Sequence, residues 1–158
     1  TTAPSIEGAV VAGSWYLEVM VGWPRFCDAV ETVTDKNGEF VLPRAWCISL
    51  WPLARLNIYS KPVIFKQGYL GYPPLGYNQE QRRAYMPNFT GQEFTDKNQY
   101  YIIELGRPKT REERESTLSK ISLIFDFYKT YKKLPTVLKF INKERKNLGY
   151  DEIGTTGE

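Results

Sequence analysis

Between Ile6 and Leu105 apolar residues recur in short runs, several of them alternating with polar ones; beyond Arg107 they recur at intervals of three and four. The first pattern predicts strands with one face in a core, and the second predicts helices with an apolar stripe. Ile6 to Ala12 and Trp15 to Val21 read as strands separated at Gly13, the second placing Leu17, Val19 and Val21 on one face. Ala29 to Thr34 and Glu39 to Leu42 read as the arms of a hairpin about Asp35-Lys36-Asn37-Gly38. Ala45 to Leu53 is apolar and Trp-rich, Leu56 to Phe65 predicts a strand pair or a strand bent at Pro62, and Gln99 to Leu105 predicts a last strand. Short strands at this spacing, about seven in all, argue for a mainly β fold, an antiparallel β-sandwich.

Thr110-Arg111-Glu112-Glu113 has the form of a capping box, with Thr110 as N-cap and acidic residues at the positive end of a helix. Leu118, Ile121, Phe125 and Tyr128 supply that helix with a stripe. Pro135 suits the first position of a second helix, Gly149 its stop, and Leu138, Ile141 and Leu148 its apolar face. Two C-terminal helices are therefore expected, with their stripes buried against the sandwich or each other. The organisation that results is an arm at 1–5, a β domain at 6–105, a two-helix appendage at 106–150 and a tail at 151–158.

The turn at Asp35 invites a calcium reading, which fails on spacing. Counted from Asp35, Phe40 stands where an EF-hand loop needs glycine and Trp46 where it needs glutamate. The same residues suit a turn. Asp35 can bond its downstream backbone, Asn37 tolerates the central position, and Gly38 supplies a positive φ. A hairpin closed at Lys36, Asn37 and Gly38 also places Cys27 opposite Cys47. A disulfide there would stabilise the fold by about 3 kcal/mol; the alternative is a pair of buried thiols, with Pro43 interrupting the ladder.

The stretch Gln67 to Asn98 is long for a connection inside a small domain and is rich in Tyr, Pro and Gly. Its Tyr69, Tyr72, Tyr77 and Tyr85 could cover the chain's own core, meet another subunit or stack on a ligand.

Composition narrows the chemistry. The 158 residues carry 21 basic and 18 acidic side chains, a net charge of +3 too balanced to mark a nucleic-acid surface. The chain has no histidine, which removes Ser-His-Asp and Cys-His catalysis and imidazole metal sites. Two cysteines alone do not close a zinc site, and the glycines match neither a phosphate loop nor a dinucleotide fingerprint. Glu112, Glu113 and Glu115 are accounted for by helix capping and solvation. No enzyme activity, cofactor or metal is expected. No run is long and apolar enough to span a bilayer. The start Thr1-Thr2-Ala3 suits a mature exported chain, extracellular or periplasmic, and in that setting Asn88-Phe89-Thr90 is a formal glycosylation sequon.

The segments Ile6-Glu-Gly-Ala-Val-Val, Ala29 to Pro43 with its Thr-Asp-Lys-Asn-Gly-Glu-Phe core, and Val63-Ile-Phe-Lys-Gln-Gly-Tyr69 resemble the carboxypeptidase regulatory-like domain family. Gly8, Thr34, Asp35, Gly38, Phe40, Gly68 and Tyr69 occupy the places of its motif, and the likeness extends over roughly Ile6 to Leu105. The resemblance implies a prealbumin-like (transthyretin-like) sandwich and a non-catalytic accessory or surface module of an exported bacterial protein. The Tyr-rich insertion and the helices depart from that pattern. Two functions are carried forward. The first is a structural or interaction protein that forms a homo-oligomer or filament, or binds another exported protein. The second is a carbohydrate-binding module, which an exposed row among Trp15, Trp23, Trp46 and Trp51 would favour.

Overall fold

The computed structural model describes residues 4–18, 25–43, 55–57, 63–72, 103–124 and 131–154. Four strands, β1 (Val10–Glu18), β2 (Arg25–Val33), β3 (Arg55–Asn57) and β4 (Val63–Phe65), form one antiparallel sheet. Two helices follow, α1 (Arg111–Ile124) and α2 (Pro135–Asn147), with a single 3-10 turn at Tyr131–Lys133 before the second.

Strand β1 is the spine of the sheet. On one side it pairs with β2 from Val10↔Val33 to Leu17↔Arg25. On the other its first half meets β4, with Val11 opposite Ile64, and its last residues meet β3, with Leu17 opposite Leu56. The sequence reading broke this strand at Gly13, and the structure corrects it. Gly13 lies inside β1, where a Cβ would come within 2.7 Å of a Leu42 methyl and 2.9 Å of the Trp15 ring. Glycine is used there because neighbouring side chains cross close over the strand.

The sheet is buried on both faces, which explains why Ala9-Val10-Val11-Ala12 is apolar without alternation. Val10, Ala12, Ala29, Val63 and Phe65 share one cluster with Leu118 and Ile121 of α1, Val137 and Ile141 of α2, and Leu134 and Leu148 at the ends of α2. Ala9, Val11, Ile64 and Tyr72 share the other with Ile6, Phe40, Leu42, Ile103 and Leu105. Each fully buried aliphatic side chain contributes about 1.5–3 kcal/mol. The helices are thus part of the core that covers the first face. Of the stripe expected on α1, Leu118 and Ile121 are buried, while Phe125 and Tyr128 lie outside the described residues.

One expected strand, and the described end of another, carry no ladder. Residues 39–42 keep the alternation, with Glu39 and Val41 exposed and Phe40 and Leu42 packed inward, yet they carry no ladder. The same holds for 103–105, where Ile103 and Leu105 face the core. One-sided burial produced the period of two without strand pairing. Of the remaining expected strand positions, Ala45 to Leu53 and residues 99–102 lie outside the described residues. What is described is an antiparallel sheet with two C-terminal helices.

Helix ends follow their expected chemistry, with one substitution of partner. Thr110 Oγ1 accepts the Glu113 N–H at 3.2 Å, but Glu113 reaches back to the Lys109 N–H at 2.6 Å, one residue before the cap. Pro135 opens α2, and Gly149, at φ 83°, ends it in the left-handed region. Leu134 has no side chain able to cap α2. Glu31 on β2 does it instead, its two carboxylate oxygens accepting the N–H groups of Thr136 and Val137 at 2.8 and 2.9 Å.

Candidate functional site

Residues singled out by the sequence meet at one end of the sheet. Asp35 Oδ1 accepts the N–H of Asn37 at 2.8 Å and that of Glu39 at 2.9 Å. The Asp35 backbone accepts from Gly38 at 2.9 Å and donates to Glu39 at 3.0 Å. Gly38 adopts φ 76°, and a Cβ on it would lie 3.0 Å from the Ile6 nitrogen. Asp35, Asn37 and Gly38 therefore form the expected turn, with a charge-assisted anchor at its centre.

Thr34, beside it, is buried and joins the turn to the start of β1. Its hydroxyl accepts the Ala9 N–H at 2.8 Å and donates to the Ile6 carbonyl at 2.6 Å, while its N–H donates to Ala9 at 2.9 Å. Lys66, just after β4, donates to the carbonyls of Glu7 and Gly8 at 2.7 and 3.2 Å. Gly8 itself adopts φ 69°, in the left-handed region, which accounts for glycine at that position. Thr34, Asp35, Gly8 and Lys66 all direct polar atoms at backbone. The arrangement holds three chain segments together. Among the described residues no group of three or more His, Cys, Asp or Glu side chains is placed to hold a metal ion.

The tyrosines divide. Tyr69 closes the turn after β4, its N–H donating to Lys66 at 3.1 Å. The Arg107 guanidinium lies over its ring, 5.3 Å from the centroid, and donates to its hydroxyl at 3.3 Å. Tyr72 is only 3% exposed; its backbone exchanges hydrogen bonds with Ile64 at 2.8 and 2.9 Å, and burial pushes its phenol up from the usual range. Tyr72 therefore serves its own core and offers no surface to a partner. Tyr77 and Tyr85 lie outside the described residues, as do Trp23, Trp46 and Trp51. Trp15 is half-buried.

Cys27 is the extra residue of a β-bulge, since Trp15 faces Asp28 while Tyr16 faces Phe26. A bulge re-aims side chains along β1 and β2, whereas the hairpin register that set Cys27 against Cys47 runs into residues outside the described ones. Cys27 is disulfide-bonded; Cys47 lies outside the described residues.

Three further groups escaped the sequence reading. Arg114 of α1 donates through Nε to Glu144 Oε1 of α2 at 2.8 Å, with Nη2 at 2.7 Å from the same oxygen. The Glu144 side chain is only 5% exposed, and its Oε2 has no hydrogen-bond partner among the described residues. Asn142 both donates to and accepts from the backbone of Ile153, at 3.0 and 2.9 Å, tying the chain after α2 back to the helix. Glu31 caps α2. Of these only Glu144 leaves a local signal that could have found it, as a charge three residues past Ile141 and four before Leu148 on the apolar face.

The outer edge of β2 completes the picture. Thr34 donates inward to Ala9, so by alternation the N–H groups of Ala29, Glu31 and Val33 point away from β1. Ala29 is satisfied by Asp28 Oδ1 at 2.9 Å, and the same oxygen holds Lys133 at 2.9 Å. Among the described residues β2 pairs with β1 alone. Val33 is 43% exposed, and Val41, beyond the turn, is 84% exposed.

Comparison with known proteins finds no matching family model, no matching curated protein and no matching solved structure.

Proposed function

We propose that this chain is a non-catalytic, exported structural or interaction module that works by docking, either with copies of itself or with another exported protein. The observation that carries the reading is the Glu31–Val33 end of β2. It combines outward N–H groups, pairing on one side only among the described residues, and an exposed valine. Such an edge accepts a strand from another chain by β-augmentation. At the other end of the strand the bulge at Cys27 and the Asp28–Lys133 pair work against pairing, which would fix the register of an incoming strand. The self-satisfied turn at Asp35 supports a scaffolding role for the motif shared with the carboxypeptidase regulatory-like family.

Membership of that family belongs to the same proposal. So does a second β layer on the Val11 face, where Phe40, Leu42, Ile103 and Leu105 pack, and a Cys27–Cys47 bridge suited to an oxidising compartment. Among the described residues no helix is long and apolar enough to cross a membrane. Sedimentation of the full chain over a range of concentrations, with Val33→Lys alongside, tests the reading. Association that the variant abolishes without a change in melting temperature supports it. A monomer at every concentration overturns docking with copies of itself, and association indifferent to Val33→Lys overturns docking through this edge.

A further inference from the structure

Helix α2 turns Val137, Ile141 and Glu144 into the core and leaves Lys139, Lys143 and Lys146 exposed on the opposite face. The spacing i, i+4, i+7 sets the three ammonium groups in one row along the helix. None of them joins an ion pair among the described residues, and the only carboxylate on the helix, Glu144, is buried against Arg114. The 17 residues 131–147 hold six Lys or Arg and a single acid, whereas the whole chain has 21 against 18. Three of these charges, Lys139, Lys143 and Lys146, thus stand on one exposed face of α2, while Lys133 pairs with Asp28 and Arg145 donates to the Asp151 carbonyl. Beyond the end of the helix Tyr150 is 44% exposed, with the Arg145 guanidinium 5.7 Å from its ring centroid and its hydroxyl hydrogen-bonded to the Glu115 and Arg111 side chains of α1.

We propose that this face of α2 rests on the surface of an anionic lipid bilayer. Three features choose that partner among anions. The row is built of lysines, compact point charges suited to a diffuse sheet of headgroups, without the forked guanidinium that reads phosphates bidentately. Lysine is depleted from the cores of protein interfaces, where arginine is enriched, so an acidic protein is a poorer complement. A tyrosine flanking a basic row suits the headgroup level of a membrane, where aromatic side chains gather. The first acidic side chains past the row, Asp151 and Glu152, come after Gly149 has ended the helix.

Each lysine near an anionic bilayer strengthens binding about fivefold, so three together contribute on the order of a hundredfold. The test is co-sedimentation of the full chain with phosphatidylcholine vesicles, pure or doped with phosphatidylglycerol, at low and high salt. The expected result is binding to doped vesicles only, lost at high salt. Lys139→Gln/Lys143→Gln/Lys146→Gln should weaken it by about a hundredfold at unchanged melting temperature, and the matching Lys→Arg triple variant should retain it. Equal binding to neutral vesicles, an unaffected Gln variant, or binding to polyglutamate or duplex DNA without binding to doped vesicles overturns the proposal.

Discussion

The two faces of the sheet are covered by different means. On the Val10 face the cover is regular: α1 and α2, joined by Arg114–Glu144 and anchored to β2 by the Glu31 cap. On the Val11 face it is irregular, with Phe40, Leu42, Ile103 and Leu105 carried by segments that have no ladder, the first of them set by the Asp35 turn. A helix satisfies its own backbone, so side chains need only fix its ends and its partner. An extended segment must find a fixed starting direction, and here Asp35, Gly38 and Thr34 supply it.

The sharpest way to break the helical face is Arg114→Met, which leaves Glu144 charged and unpaired. Because Arg114 is 33% exposed and water can reach the pair, the expected loss lies at the lower end for such a break, about 3 kcal/mol in urea unfolding. Adding Glu144→Leu should recover most of it, which distinguishes an orphaned charge from lost packing. On the other face Gly38→Val should cost about 2 kcal/mol, from a β-branched residue forced to positive φ and pressed on the Ile6 nitrogen. If the two covers are independent, Arg114→Met and Gly38→Val add to within about 0.5 kcal/mol. Glu31→Gln is the mildest: it keeps the shape of the α2 cap but removes its charge and one of its two acceptors, and should cost about 1 kcal/mol.

The same contrast governs what could be read in advance. Both helices were legible because Thr110, Pro135 and Gly149 mark ends locally and the stripes repeat within one element. The turn was legible for the same reason, since every partner of Asp35 lies within four residues. Glu31 and Arg114 were not, because their partners lie 105 and 30 residues away, beyond the reach of any local pattern. The alternation at Glu39 to Leu42 was read correctly as burial and wrongly as pairing. Period two reports which face is wet, and it does not reveal whether the backbone has a neighbour. Tyr72 failed as an interface candidate for a related reason: a tyrosine in a Gly/Pro-rich stretch carries no local sign that its ring turns inward.

The claim that the chain acts by docking through β2 is tested most directly by amide hydrogen exchange at Glu31 and Val33. The outward N–H groups of both residues have no ladder partner in the single chain among the described residues. In dilute solution they should exchange rapidly. At high concentration, or with a bound partner, both should become protected, while the amides within α1 keep the rates they had. Rapid exchange at Glu31 and Val33 under every condition, together with a monomer mass, would contradict the account.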